Sequence, residues 1–188
     1  NYELVVAGEW MPIRIFRYQS GRLEEVAGDY GLEKTEGWWN KIIADDIDMD
    51  GDQDLIAGNL GENYKFRASK EKPFQVFAKD FDGNGTNDIF LARYYENSRL
   101  VPIRGRECSS QQMPVIAQKF PTYVSFAESD LGDILGKDIE NALHYKAHVF
   151  ASVILMNENG KLVEKPLPVE AQLSAVMSIV VSDFDADG

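Results

Sequence analysis

Asp46-Ile-Asp48-Met-Asp50-Gly51-Asp52-Gln53-Asp54 places a carboxylate at every second position of a nine-residue stretch. Asp80-Phe-Asp82-Gly83-Asn84-Gly85-Thr86-Asn87-Asp88 repeats the pattern with an amide at the fifth position. Asp183-Phe-Asp185-Ala-Asp187-Gly188 begins it a third time. Alternating oxygen ligands around a glycine that lets the backbone turn back are what a hard divalent cation needs. Ca²⁺ takes about six to eight oxygens at roughly 2.3–2.6 Å. Without a cation, five carboxylates so close together repel one another. The alternative reading is a set of polar turns with no ligand.

The elements around the loops decide what kind of calcium loop this would be. A helix–loop–helix calcium site needs an acidic residue at loop position 12 and a helix on each side. Position 12 is Ala57 in the first loop and Leu91 in the second, and the acidic pattern ends at position 9, on Asp54 and Asp88. The flanks are short runs rich in β-branched and aromatic residues: Ile42-Ile43-Ala44 and Leu55-Ile56-Ala57 around the first loop, Phe74 to Ala78 and Ile89 to Ala92 around the second. They predict strands. Ser178 to Val181 leads into the third loop in the same way.

The loops start at residues 46, 80 and 183. The first interval suits a small repeat of four strands, and the longer second interval predicts an insertion. From about residue 109 to 148 the composition turns to Ala, Leu, Gln, Glu and Lys, with helical spacing at Ile134, Ile139 and Leu143. Strand patterning returns at Phe150 to Met156, and Asn157-Glu158-Asn159-Gly160 marks a hairpin turn. The expected fold is therefore all-β, a segment of a β-propeller with a helical insertion at about 109–148. Its parts are a partial blade at 1–36, a blade at 37–72, a blade carrying the insertion at 73–174, and the start of another at 175–188. On this reading the chain is a piece of a longer protein.

D-x-D-x-D-G-x-x-D between two strands, followed by Ile56-Ala57-Gly58-Asn59, resembles the FG-GAP or VCBS repeat. That repeat is the blade unit of integrin α-chain propellers and of many secreted bacterial proteins. Gly37-Trp38-Trp39-Asn40, Gly58 to Asn63, Phe120-Pro121-Thr122-Tyr123 and Pro166 to Gln172 are similar to bacterial proteins of the cartilage-acidic-protein-like group. The resemblance implies a Ca²⁺ ligand set at loop positions 1, 3, 5 and 9, with a main-chain carbonyl at 7. In the first loop these are Asp46, Asp48, Asp50 and Asp54, with Asp52 at position 7. In the second they are Asp80, Asp82, Asn84 and Asp88, with Thr86 at position 7. The third offers Asp183, Asp185 and Asp187. The resemblance further implies a calcium-stabilised scaffold, extracellular, periplasmic or on the outer cell surface, that binds a protein or a glycan. A secreted polysaccharide lyase or hydrolase is the competing class.

Composition narrows the field. The net charge is −12, but 11 of the 31 acidic residues lie in the three loops, and the other 20 nearly balance 19 Lys and Arg. Nucleic-acid binding calls for a basic footprint that this chain does not show. No apolar run approaches the roughly 18 residues of a membrane-spanning helix. Cys108 is the only cysteine and has no nucleophile signature around it. His144 and His148 would share a face if helical, yet no third zinc ligand is in view. Trp10, Trp38 and Trp39 are read as packing residues before sugar platforms. Asn84-Gly85-Thr86 matches a glycosylation sequon, though Asn84 is better placed as a metal ligand. No catalytic constellation is evident.

Overall fold

The computed structural model describes residues 2–183. Its strands, in chain order, are β1 (Glu3–Val6), β2 (Glu9–Met11), β3 (Arg14–Gln19), β4 (Arg22–Glu25), β5 (Gly37–Trp38), β6 (Lys41–Asp45), β7 (Asp54–Gly58), β8 (Phe74–Lys79), β9 (Asp88–Tyr94), β10 (Leu100–Pro102), β11 (Leu143–Ala147), β12 (Val153–Glu158) and β13 (Lys161–Pro166). Four short helices fall between β10 and β11: α1 (Arg106–Gln112), α2 (Val115–Lys119), α3 (Tyr123–Ala127) and α4 (Leu131–Leu135). The chain divides into two compact units, one of residues 1–65 with 147–188, the other of residues 66–146.

The first unit holds three sheets, β1-β3-β4, β2-β5 and β13-β12-β7-β6. In the four-stranded sheet, β7 pairs antiparallel with β6 on one side and β12 on the other. All five residues of β7 are buried. An uninterrupted apolar run of this kind belongs to an interior strand, which needs a partner on both edges. Val153, Ile154 and Leu155 of β12 supply the second edge, opposite Ala57, Ile56 and Leu55. The core gathers Ile13, Ile15, Trp39, Leu55, Ala57, Val149, Val153, Leu155 and Leu162.

The second unit is one sheet, ordered β10-β9-β8-β11, with the helices against it. Along β9, Asp88, Phe90 and Ala92 are buried while Ile89 is exposed, the alternation of a strand covered on one face. Phe77, Phe90 and Ala92 pack with Met113, Ile116, Phe120, Phe126, Leu131, Ile134 and Leu135. Capping boxes start two of the helices. Thr122 and Ser125 close the first turn of α3, and Asp130 and Asp133 that of α4.

This architecture overturns the all-β propeller. Helix makes up 21% and strand 35% of the chain, the four sheets are small and antiparallel, and no closed barrel or propeller forms among the described residues. The helices are not an ornament on a blade. With the flanking residues Met113 and Phe120 they provide most of the apolar side chains of the second core, which the strands could not close alone. Strand pairing differs for the same reason: the β12–β13 hairpin joins the sheet of the first loop, not that of the second. The helical stretch spans 106–141 and ends earlier than composition suggested, since Leu143 and His144 lie on β11.

That strand placement changes the reading of the histidines. His144 stacks on Phe77, with ring centroids 4.2 Å apart, and its Nε2 lies 2.7 Å from Gln75 Oε1. Burial, with a smaller contribution from the charge of Lys146, lowers its pKa below the ordinary histidine value. The unfolded chain therefore takes up the proton first as the pH falls. The stability contribution of neutral His144 is complete above the unfolded pKa of about 6.5 and is lost as the pH drops below it. Urea midpoints of the second unit's transition should thus fall between pH 7.5 and 5.5, and His144→Gln should flatten that part of the profile. An unchanged slope in the variant would refute the assignment.

Candidate metal centre

Each acidic loop is the connection of a tight hairpin. Asp45 pairs with Asp54 at the mouth of the first, and Lys79 with Asp88 at the mouth of the second. Inside, the two loops share one hydrogen-bond scheme. Asp46 accepts from the amides of Asp50 (3.1 Å) and Gly51 (3.0 Å), and Asp80 accepts from those of Asn84 (3.0 Å) and Gly85 (2.8 Å). The side-chain oxygen of position 5 then accepts from the amide of position 7, Asp50 from Asp52 and Asn84 from Thr86. The carboxylate of position 9 accepts from the amide of position 2, Asp54 from Ile47 and Asp88 from Phe81.

The backbone is bent in the same places. Positions 4 and 6 have positive φ in both loops: Met49 (59°) and Gly51 (96°), Gly83 (74°) and Gly85 (88°). Glycine reaches this region without a Cβ penalty, whereas Met49 holds it against one. At position 2, Phe81 packs on the helical core and meets Phe90 edge-on at 6.0 Å. It pins the start of the loop to that core.

Two carboxylate groups result. Oxygens of Asp46, Asp48 and Asp50 lie within 4.8 Å of one another, and so do those of Asp80, Asp82 and Asp88. Each group could hold a metal ion. Among the described residues, no Lys or Arg ion-pairs with the carboxylates of these two loops. In each loop one carboxyl is shifted, and neighbouring carboxylates contribute to the shift. Burial first, then the charges of Asp50, Asp54 and Asp48, raises the pKa of Asp52. Burial also raises that of Asp88, against the opposing hydrogen bond from Phe81 and with the charges of Asp82 and Asp80 adding to the rise. Asp52 Oδ1 is shielded from solvent without a hydrogen-bond partner.

The two closing residues differ. Asp88 joins its carboxylate group. Asp54 is 1% exposed, and its second oxygen accepts from the amide of Asn157 at 2.7 Å, which ties the loop to β12. The sequence marks Asn157 only as the start of a hairpin turn, and its bond to Asp54, 103 residues away, had no signal there. Asn84 and Thr86 sit at their expected loop positions. Asp183 is described only as an exposed residue outside any strand, and Asp185 and Asp187 lie outside the described residues.

The other signals are structural. Trp39 is in the first core and donates Nε1–H to Thr35 O, while Trp10, Trp38 and Phe150 form successive edge-to-face contacts at 5.1 and 5.3 Å. His148 Nε2 lies 3.8 Å from Glu36 Oε2, and neither histidine belongs to a metal group. No helix among the described residues is long and apolar enough to cross a membrane. Neither a protein-family model, nor a curated protein, nor a solved structure matches the chain.

Proposed function

We propose that both loops bind Ca²⁺ and that the chain is a calcium-stabilised scaffold of a secreted or cell-surface protein, one that presents its surface to a protein or glycan. The observation that carries this reading is the matched pair of loops: carboxylates at positions 1, 3 and 9 of both, the same amide hydrogen bonds and the same two left-handed positions, in hairpins of two different sheets. Turns serving only to reverse the chain have no need of uncompensated charge. The donors are all oxygen, which suits a hard cation. A flexible set of carboxylates suits Ca²⁺ better than Mg²⁺, which demands near-ideal octahedral geometry and keeps several waters. Asp46, Asp48, Asp50 and Asp54, with the Asp52 carbonyl, would hold one ion. Asp80, Asp82, Asn84 and Asp88, with the Thr86 carbonyl, would hold the other.

The ion's contribution is structural: it offsets the repulsion within each loop and holds the hairpin ends together. The loop pattern and its flanking strands support an FG-GAP or VCBS-type origin for these hairpins. Extracellular modules work at dissociation constants of about 10⁻⁴–10⁻³ M, so a calcium-rich compartment outside the cytoplasm fits such sites.

Calcium titration by calorimetry, with bound metal counted by emission spectroscopy, tests the assignment. Asp50→Ala should remove one ion per chain and Asp82→Ala another, each leaving the rest in place. Unchanged stoichiometry in both variants would overturn it.

A further inference from the structure

The second unit contains a pocket of about 340 Å³ whose character is opposite to that of the loops. It lies where β9 runs out and β10 turns toward α1, with α3 beside it. Arg93, Arg99 and Arg104 line it, together with Tyr95, Phe126 and Ser129, and no Asp or Glu does. In a chain of net charge −12, three arginines lining one cavity need a reason. Among the described residues none of the three is ion-paired to a carboxylate. Arg99 is instead held by backbone, donating from Nη1 to the carbonyls of Ala127 (3.2 Å) and Glu128 (2.6 Å). Those bonds orient a cation without neutralising it. Arg93 lies over the ring of Tyr95 at 5.8 Å, a second neutral support. Arg93 stands five positions after Asp88 along β9, so roughly 17 Å of strand lies between the pocket and the second loop.

We propose that this pocket binds an acidic sugar, a uronic-acid unit of a glycan. The forked guanidinium matches a planar carboxylate in two parallel hydrogen bonds. Tyr95, 46% exposed, offers a ring face against which the C–H face of a pyranose packs. Ser129 Oγ donates to Ser125 O, which leaves its lone pairs to accept from a sugar hydroxyl. The volume falls within the range of small-molecule sites. The inference rests on the scaffold reading for its biological sense and narrows the partner to an acidic glycan, but it uses none of the calcium ligands.

The test is calorimetry on the calcium-loaded chain with a glucuronic-acid disaccharide. The uncharged glucose disaccharide of the same linkage, a triglutamate peptide and inorganic phosphate serve as comparisons. The acidic disaccharide should bind saturably and more weakly as NaCl rises. Arg93→Gln and Arg104→Gln should each weaken it about tenfold or more. Arg104 is exposed, so its replacement leaves the fold intact. No binding, equal binding of the neutral disaccharide, or affinity unchanged in both variants would overturn the proposal. Equal or tighter binding of triglutamate or phosphate would overturn the sugar assignment. Calcium stoichiometry measured on the same samples separates the two readings. Lost disaccharide binding with both ions retained refutes only the pocket, and lost calcium with disaccharide binding intact refutes only the loops.

Discussion

Asn59→Ala is expected to cost about 3–5 kcal/mol, a large part of the roughly 5–15 kcal/mol that holds a domain together. The side chain is fully buried. Its Oδ1 accepts from the amides of Trp38 (3.1 Å) and Leu60 (2.8 Å), and its Nδ2 donates to Val149 O (3.0 Å). Alanine would remove all three of these buried bonds at once, at about 1–1.5 kcal/mol each. The backbone at Asn59 is committed as well: its amide donates to Ser152 Oγ, and its carbonyl accepts from Val176. Asn59 therefore joins β5, the end of β7, the approach to β12 and the 172–176 segment, four pieces distant in sequence. Gly37 makes room for it, since a Cβ there would lie 2.7 Å from Nδ2. Ser152→Ala removes a single bond and should cost about 1–3 kcal/mol. Urea midpoints at fixed pH would rank the two. A loss below about 1 kcal/mol for Asn59→Ala would show that the network is not what holds these segments.

Asn59 also marks how far a sequence can be read here. The loops were legible because their chemistry is local. Every internal hydrogen bond of Asp46 or Asp80 reaches no more than five residues along the chain. Alternating polar positions and a glycine at position 6 are enough to imply it. The strands beside the loops were legible for the same reason. What those strands pair with was not. β7 carries buried side chains on both faces, and nothing in Leu55-Ile56-Ala57 says that its second neighbour comes from residues 153–155. Two hairpins of the same design invite the inference of two equal blades. The structure gives one a four-stranded sheet and the other a helical cover, and the choice is made by Ile116, Phe120, Leu131 and Ile134 packing on Phe77 and Phe90. Those side chains suggest helices by their spacing, but spacing does not say what surface a helix will cover. Arg93, Arg99 and Arg104 converge for the same kind of reason, through the turn from β9 to β10, and no motif joins them.

With calcium in both loops, chelation is expected to lower two unfolding transitions rather than one. The first loop belongs to the unit of residues 1–65 with 147–188, and the second to that of residues 66–146, so each ion stabilises its own unit. A ligand bound only by the folded state adds RT ln(1 + [L]/Kd), about 2.7 kcal/mol at one hundred times Kd. For units of this size that corresponds to roughly 10–20 °C in Tm, on a scale of about 4–8 °C per kcal/mol. Differential scanning calorimetry in 10 mM CaCl₂ and then in EDTA reads it directly. Asp46→Asn should abolish the calcium shift of the first unit's transition and keep that of the second, and Asp80→Asn should do the reverse. These two aspartates are decisive because each braces its loop through two backbone amides and also stands in the carboxylate group. Asparagine keeps one acceptor and removes the charge, so the loop loses much of its attraction for a cation and less of its own shape. Asp52→Asn, at position 7, is the opposing control. Its carboxyl is the one pushed up by burial and by Asp50, Asp54 and Asp48, so the group costs stability as the pH rises through and above the ordinary aspartate range. Neutralising it should stabilise the calcium-free first unit at pH 7 and leave the Asp52 carbonyl available to the ion. A loss of calcium binding in Asp52→Asn as complete as in Asp46→Asn would show that the side chain, and not the main chain, is the ligand at that position.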